Sequence, residues 1–310
     1  MIEMRGMYVA AVTPRGREGD IDFGAVFEIL DHLCAAGVDG IVLFGAAGEY
    51  PALEAQERSR LVYLAVKRSR VPVLVGVGSA SLDASVALAR EARDGGAAAL
   101  LIPPPFFFRY QQDDLREFYN QFAAQVGEGT PLLVSNTPEF TSGIASTTAL
   151  ELLETGRYAG IEEAGSDLEA FACLKAVAAA QGFGLLAGND RILTSARFGE
   201  GGGEPGARPA CGAISEAGCA IPELLMGLDR AMTAGDRETV ARLDALLDEF
   251  LGWVEQFPRP LLIKEATGLR GLQTGPHSLP LAAAKEKKLE EFREWFAAWL
   301  PETKRTAGHV

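Results

Sequence analysis

The sequence predicts an α/β fold, a (β/α)8 TIM barrel followed by a C-terminal helical bundle. Eight short apolar, β-branched runs alternate with longer amphipathic stretches, and their starts lie roughly 25 to 33 residues apart, the length of one strand–helix unit. Most of the runs are continuously apolar, as expected of a parallel sheet covered on both faces. After the eighth run the pattern turns wholly helical.

The strand-like runs are 7–13, 40–44, 71–77, 98–102, 131–135, 158–162, 184–187 and 211–215. Between the first two, 23–36 carries Val26, Ile29, Leu30 and Leu33 at helical spacing and stops before Gly37. The stretches 54–68, 82–93, 113–126, 147–154 and 168–180 behave in the same way. Beyond the eighth run, 222–234, 236–256, 261–269 and 281–300 read as helices. The expected division is a barrel over 1–222, a helical domain over 223–300 and a frayed tail over 301–310. The glycine-rich stretch 199–209 (GEGGGEPGARP) reads as a solvent loop between the seventh helix and the eighth strand.

Composition narrows the function classes. The 310 residues are 48% hydrophobic and 23% charged, enough apolar surface to offset chain entropy. Lys+Arg 29 against Asp+Glu 42 leaves a net charge of −13, which repels phosphate backbones and anionic lipid. Nucleic acid and membrane are therefore not expected partners, while local donors in a cleft can still hold a small anion. No apolar run approaches the roughly 20 residues of a bilayer span, and MIEMRGMYVA has no signal pattern, so a cytoplasmic location is expected. Cys34, Cys173, Cys211 and Cys219 lack metal-type spacing and read as buried thiols. His32, His277 and His309 are scattered, so a zinc site is not expected, nor is a cofactor; carboxylates gathered at one barrel mouth are the alternative by which a divalent metal could be held.

Barrel sites are built at the C-terminal ends of the strands. Here those ends supply Thr13-Pro14, GAAGE at 45–49, 76–79, 103–108, SNTP at 135–138, Glu162-Glu163-Ala164, Gly188-Asn189-Asp190 and 212–216. The turn at Gly45, Ala46 and Ala47 reads either as a backbone cradle for a carboxylate or as a tight packing turn.

In this order, VTP (12–14), GAAGE followed by LEAQER, GVG (76–78), PPPFF (103–107), SNTP, GIEEA (160–164), GND (188–190) and GAIS (212–215) resemble the dihydrodipicolinate synthase / N-acetylneuraminate lyase superfamily of pyruvate-dependent aldolases. The resemblance runs from about Gly6 to Leu300, and 260–268 looks like the family's C-terminal domain. It implies a homo-oligomer, a tetramer or dimer, and a lysine at the end of strand six, in G-I-K-E, that condenses with pyruvate. This chain reads Gly160-Ile161-Glu162-Glu163, and a carboxylate cannot form an imine. The two threonines of G-T-T-G-E fall at Ala46 and Ala47, the tyrosine before N-x-P at Ser135, and the aromatic pair after strand four at Phe106-Phe107. The arginine that synthases carry after N-x-P falls near Phe140, and Cys219 stands where an asparagine is expected.

Standard Schiff-base aldolase chemistry is therefore not expected. The expected partner is a small oxygenated molecule, a carboxylate or sugar acid, contacted by Gly45, Ala46, Ala47, Ser135, Asn136, Asp190, Ile214 and Phe107. Glu162, partly buried at the barrel mouth, is the candidate acid or base. Strand alternation turns Glu163 away from it. Glu49 could add a carboxylate, Asn189 could orient a hydroxyl, and Arg109 is a candidate anion anchor. Two alternatives stay open: a non-catalytic ligand-binding or oligomeric scaffold, and a true aldolase using a displaced lysine. Of the seven lysines only Lys264, in the C-terminal helices, can approach a barrel mouth.

Overall fold

Runs of valine, isoleucine and leucine form eight short strands: β1 (Met7–Ala10), β2 (Gly40–Leu43), β3 (Val73–Gly76), β4 (Ala99–Ile102), β5 (Leu132–Asn136), β6 (Gly160–Glu163), β7 (Gly184–Ala187) and β8 (Gly212–Ser215). The structure is a computed structural model and describes residues 4–199, 206, 209 and 211–308. All neighbouring strands pair in parallel, and β8 returns to β1 through Met7↔Ala213, Tyr8↔Ile214 and Val9↔Ser215, closing the barrel. Most strand residues are buried, because side chains alternate between the barrel interior and the helix layer.

The covering helices are α1 (Phe23–Ala36), α2 (Ala55–Arg68), α3 (Leu82–Asp94), α4 (Gln112–Val126), α5 (Ser146–Glu154), α6 (Leu168–Gln181), α7 (Leu193–Arg197) and α8 (Pro222–Ala234). Local chemistry fixes their ends. In α1 the Asp22 carboxylate accepts from the Ala25 amide at 3.0 Å, and Gly37 ends the helix in the left-handed region at φ 83°. Sequence periodicity groups α8 with the C-terminal helices. In the fold it packs against β1 and α1 and so completes the ring. The short α7 has too few turns to show periodicity in the sequence.

Beyond the ring lie α9 (Arg237–Val254), α10 (Leu261–Leu269) and α11 (Ala283–Gly308). Phe250, Phe292, Phe296 and Trp299 stack between α9 and α11, and the Trp299 indole donates to Glu249 at 2.9 Å. The expected frayed tail is a correction: α11 continues through Pro301 to Gly308. Trp299, Thr303 and Ala307 recur every fourth residue and are buried, and Ala307 lies against Gly227 of α8. That apolar stripe sustains the helix past the amide lost at Pro301.

The cysteines need one correction too. Cys211 and Cys219 are buried and Cys34 is half-buried, but Cys173 is exposed, because α6 is apolar on both faces and its sequence does not reveal which one packs. Apart from Gly199, Gly206 and Pro209, the stretch 199–209 lies outside the described residues. Among the described residues no helix is long and apolar enough to cross a membrane.

Candidate active site

A cavity of about 460 Å³ opens at the C-terminal ends of the strands. Ala10, Val42 and Ile214 line it from the barrel interior, and Phe44, Phe106 and Phe140 contribute aromatic surface. Gly45, Ala46, Ser135, Glu162 and Phe107, all candidates from the sequence, also border it. Among the described residues no lysine lines this cavity.

Glu162 points inward from β6. The Ser135 hydroxyl, on the neighbouring β5, donates to its Oε2 at 2.5 Å, as the register Ser135↔Glu162 allows. Burial pushes the Glu162 carboxyl up to about 7, the Ser135 hydrogen bond works against that, and the nearby Glu163 charge adds to it. Space for this carboxyl comes from Gly188: a Cβ there would stand 2.8 Å from the Glu162 Cγ and 3.0 Å from its Oε1.

The next residue along each of these strands faces the helix layer. Glu163 accepts from the Asn136 amide at 2.7 Å and from the Gly165 backbone at 2.8 Å. Asn136 also bonds both backbone groups of Ile144, at 2.9 and 3.2 Å. Asn136 is thus a correction: it is committed to framework hydrogen bonds and lies behind the cavity wall. The alternation that separates Glu162 from Glu163 equally separates Ser135 from Asn136.

Asp190 is a second correction. Its Oδ2 accepts the Glu216 and Ala217 backbone amides at 3.1 and 2.9 Å, so it braces the loop after β8 and does not line the main cavity. Ala47 is a third, being the fully buried middle residue of a 3-10 turn over Ala46–Gly48. Within that turn the Gly48 and Glu49 amides already donate to Gly45 and Ala46 carbonyls, leaving fewer donors for a carboxylate cradle. Arg109 donates to the Thr141 carbonyl and is not an anchor in the cavity.

Sequence reasoning does not single out Glu216 or Arg259, which both line the cavity. Glu216 follows β8 directly, and burial pushes its carboxyl up to about 7 against the pull of Arg259. The strand-end rule alone points to it. Arg259 lies before α10 and sits 3.3 Å from Glu139 and 3.9 Å from Glu216. It belongs to no barrel motif, so only tertiary packing reveals it. Glu49 also borders the cavity and is held by Lys264 and by Ser278.

A buried cation supports the wall. Arg58 donates to the Gly76 and Gly78 carbonyls at 3.0 and 3.2 Å and lies over the rings of Phe44 and Tyr50. Burial pulls its guanidinium down to about 10 and pushes the Tyr50 hydroxyl up to about 12, so Tyr50 is a neutral donor at physiological pH. Among the described residues no group of three histidine, cysteine or carboxylate side chains is arranged to hold a metal ion.

The model of the Dihydrodipicolinate synthetase family matches residues 3–298. The 4-hydroxy-tetrahydrodipicolinate synthase of Azoarcus sp. (strain BH72) is 32% identical over 284 residues, 91% of this chain and 93% of that relative. That of Moorella thermoacetica (strain ATCC 39073 / JCM 9320) is 30% identical over 298 residues, 95% and 96% of the two chains. The solved 4-hydroxy-tetrahydrodipicolinate synthase from Methylacidiphilum fumariolicum SolV superposes with a TM-score of 0.87 at 26% identity, over 99% of each chain. With a closed eight-stranded barrel and a match over nearly its whole length, the chain belongs to the dihydrodipicolinate synthetase family.

Proposed function

We propose that this member of the lyase superfamily binds a small oxygenated molecule in the barrel cavity and moves a proton on it with Glu162, without forming an imine with pyruvate. One observation carries the reading: a carboxyl, bonded to Ser135 and held up at about 7, occupies the cavity end of β6. A group balanced between acid and base near neutral pH suits proton transfer. Glu162 stands where the family resemblance puts the Schiff-base lysine. Lys264, the one candidate for a displaced lysine, is engaged by Glu49 and by the Pro276 carbonyl at 3.0 Å. The synthase activity in the relatives' names is therefore not carried over to this chain.

A carboxylate or sugar acid is the ligand class whose acid group Arg259 can meet at the mouth. The reading includes assembly into a homo-oligomer, a tetramer or dimer, through the exposed edges of Phe107 and Phe108. The apolar walls favour a second reading, a ligand-binding or oligomeric scaffold without catalysis.

The test treats the full chain with pyruvate or 2-oxobutyrate, adds borohydride and weighs it, beside an ordinary family member. No added mass is expected here, and an adduct on any lysine overturns the reading. In parallel, proton NMR in D2O follows exchange at the carbon next to the keto group. Exchange that disappears in Glu162→Gln is expected. Exchange that survives in that variant takes the proton transfer away from Glu162 and overturns the reading, and none in the wild type leaves the scaffold.

A further inference from the structure

We propose that Glu216 is the second acid/base group of this site, acting across the cavity from Glu162 on the same bound molecule. The inference rests on the proposed function and adds a second catalytic residue to it.

The barrel register carries the argument. β6, β7 and β8 are consecutive in the ring, so Glu162 at the end of β6 and Glu216 just beyond β8 flank the single strand β7. Ile214 of β8 and Glu216 just beyond it both line the cavity. The residue that follows β7 between them is Gly188, so no side chain projects from that part of the wall, and the room a Cβ would take is used by the Glu162 side chain. Asp190 fixes the base of Glu216 by accepting its backbone amide.

The groups facing the two carboxyls assign their roles. Glu216 faces Arg259, whose charge favours its ionised form, together with Asp190, Glu139 and Glu162, which oppose it. Among the described residues, the polar groups acting on Glu162 are the Ser135 hydroxyl and the like-charged Glu163 and Glu216. The guanidinium of Arg259, 3.9 Å from Glu216, assigns the carboxylate of the pair to Glu216 and the acid to Glu162. The Glu216 carboxylate takes a proton from the bound molecule while the Glu162 acid gives one to another of its atoms. The ligand's charge is unchanged, and the pair resets by exchanging one proton with water at the mouth.

The exchange measurement with pyruvate and 2-oxobutyrate tests this on the full chain. Glu216→Gln is expected to slow exchange by about 10²-fold or more. Glu216→Asp, which keeps an acid, is expected to retain part of it. The wild-type rate should pass through a maximum with pH, and Glu216→Gln should lose the acid limb, which a packing defect would not remove selectively. Exchange at the wild-type rate in Glu216→Gln, with Glu162→Gln inactive, overturns the inference and leaves the proposed function standing. Exchange that is missing from the wild type, or that survives in Glu162→Gln, overturns both.

Discussion

The Lys264 ammonium lies 2.9 Å from Glu49 Oε2, joining α10 to the loop that follows β2. Lys264 is 1% exposed and the Glu49 side chain 10%, so the contact is a buried ion pair and not a surface one. It ties the C-terminal helices to the barrel mouth and keeps the Glu49 side of the cavity in place. The same pairing occupies the lysine nearest the site.

Removing one partner of a buried pair leaves the other charge uncompensated, which costs about 3–5 kcal/mol. Lys264→Met is therefore expected to unfold at a lower denaturant concentration, by a shift corresponding to that range. Lys264→Met/Glu49→Gln, which removes both charges, should recover much of the loss. A single variant as stable as the wild type would show that the pair carries no net energy.

The barrel is legible in the sequence because a parallel sheet buried on both faces leaves continuous apolar runs, and β7 reads to the residue. The site is less so. Glu162 and Ser135 are recoverable because strand alternation and the strand-end rule both point to them. Asn136 is misassigned by the same segment logic, since motif neighbours are grouped while alternation sends them to opposite faces. Asp190 carries the right chemistry in the right loop, yet two backbone amides capture it, and nothing local predicts that. Arg259 reaches the cavity from outside the barrel. The tail reads as frayed because Pro301 is a local stop signal, and only packing against Gly227 overrides it.

Glu162 gives a pH dependence of definite sign. Its carboxyl is held at about 7 in the folded chain, above its ordinary 4.5. Between those two values the folded chain keeps a proton that the unfolded chain has released, so ionising Glu162 lowers stability as pH rises through the window. Glu162→Gln has no such proton to lose. Its stability relative to the wild type is expected to be similar at pH 4 and higher by about 3 kcal/mol at pH 8. Urea unfolding of both proteins across pH 4–8 checks this, and parallel curves would mean that Glu162 is not buried as a charge.

Phe107 is 85% exposed and sits at φ 84°, a region disfavoured for any residue with a side chain. Its ring meets that of Phe108 edge to face at 4.9 Å, and Phe108 is itself 63% exposed. Strain spent on displaying two aromatic rings fits a contact with another copy. Phe107→Gly relieves the backbone, so the folded chain should hold or gain about 1 kcal/mol while its association weakens. Sedimentation across a dilution series measures the second effect and thermal unfolding the first. Unchanged association would remove Phe107 from the contact.

Gly188 offers the sharpest separation of site from scaffold. A methyl group there would meet the Glu162 Cγ at 2.8 Å, the Ala164 Cβ at 2.9 Å and the Glu162 Oε1 at 3.0 Å. The Glu162 side chain can swing aside, the Ala164 Cβ can give only with its backbone, and Gly188 has no positive φ that alanine would strain. Gly188→Ala should therefore fold, with an overpacking cost of about 1–3 kcal/mol. Its carboxyl, however, has to leave the Ser135 hydroxyl or tilt toward the space before Glu216, and either movement breaks the alignment on which proton transfer depends. Deuterium exchange into a 2-oxo acid should then fall by about 10-fold or more, as small misplacements of a reacting group cost up to about 10²-fold. If Gly188→Ala exchanges at the wild-type rate, the carboxyl tolerates displacement and the open wall between β6 and β8 has no part in the chemistry.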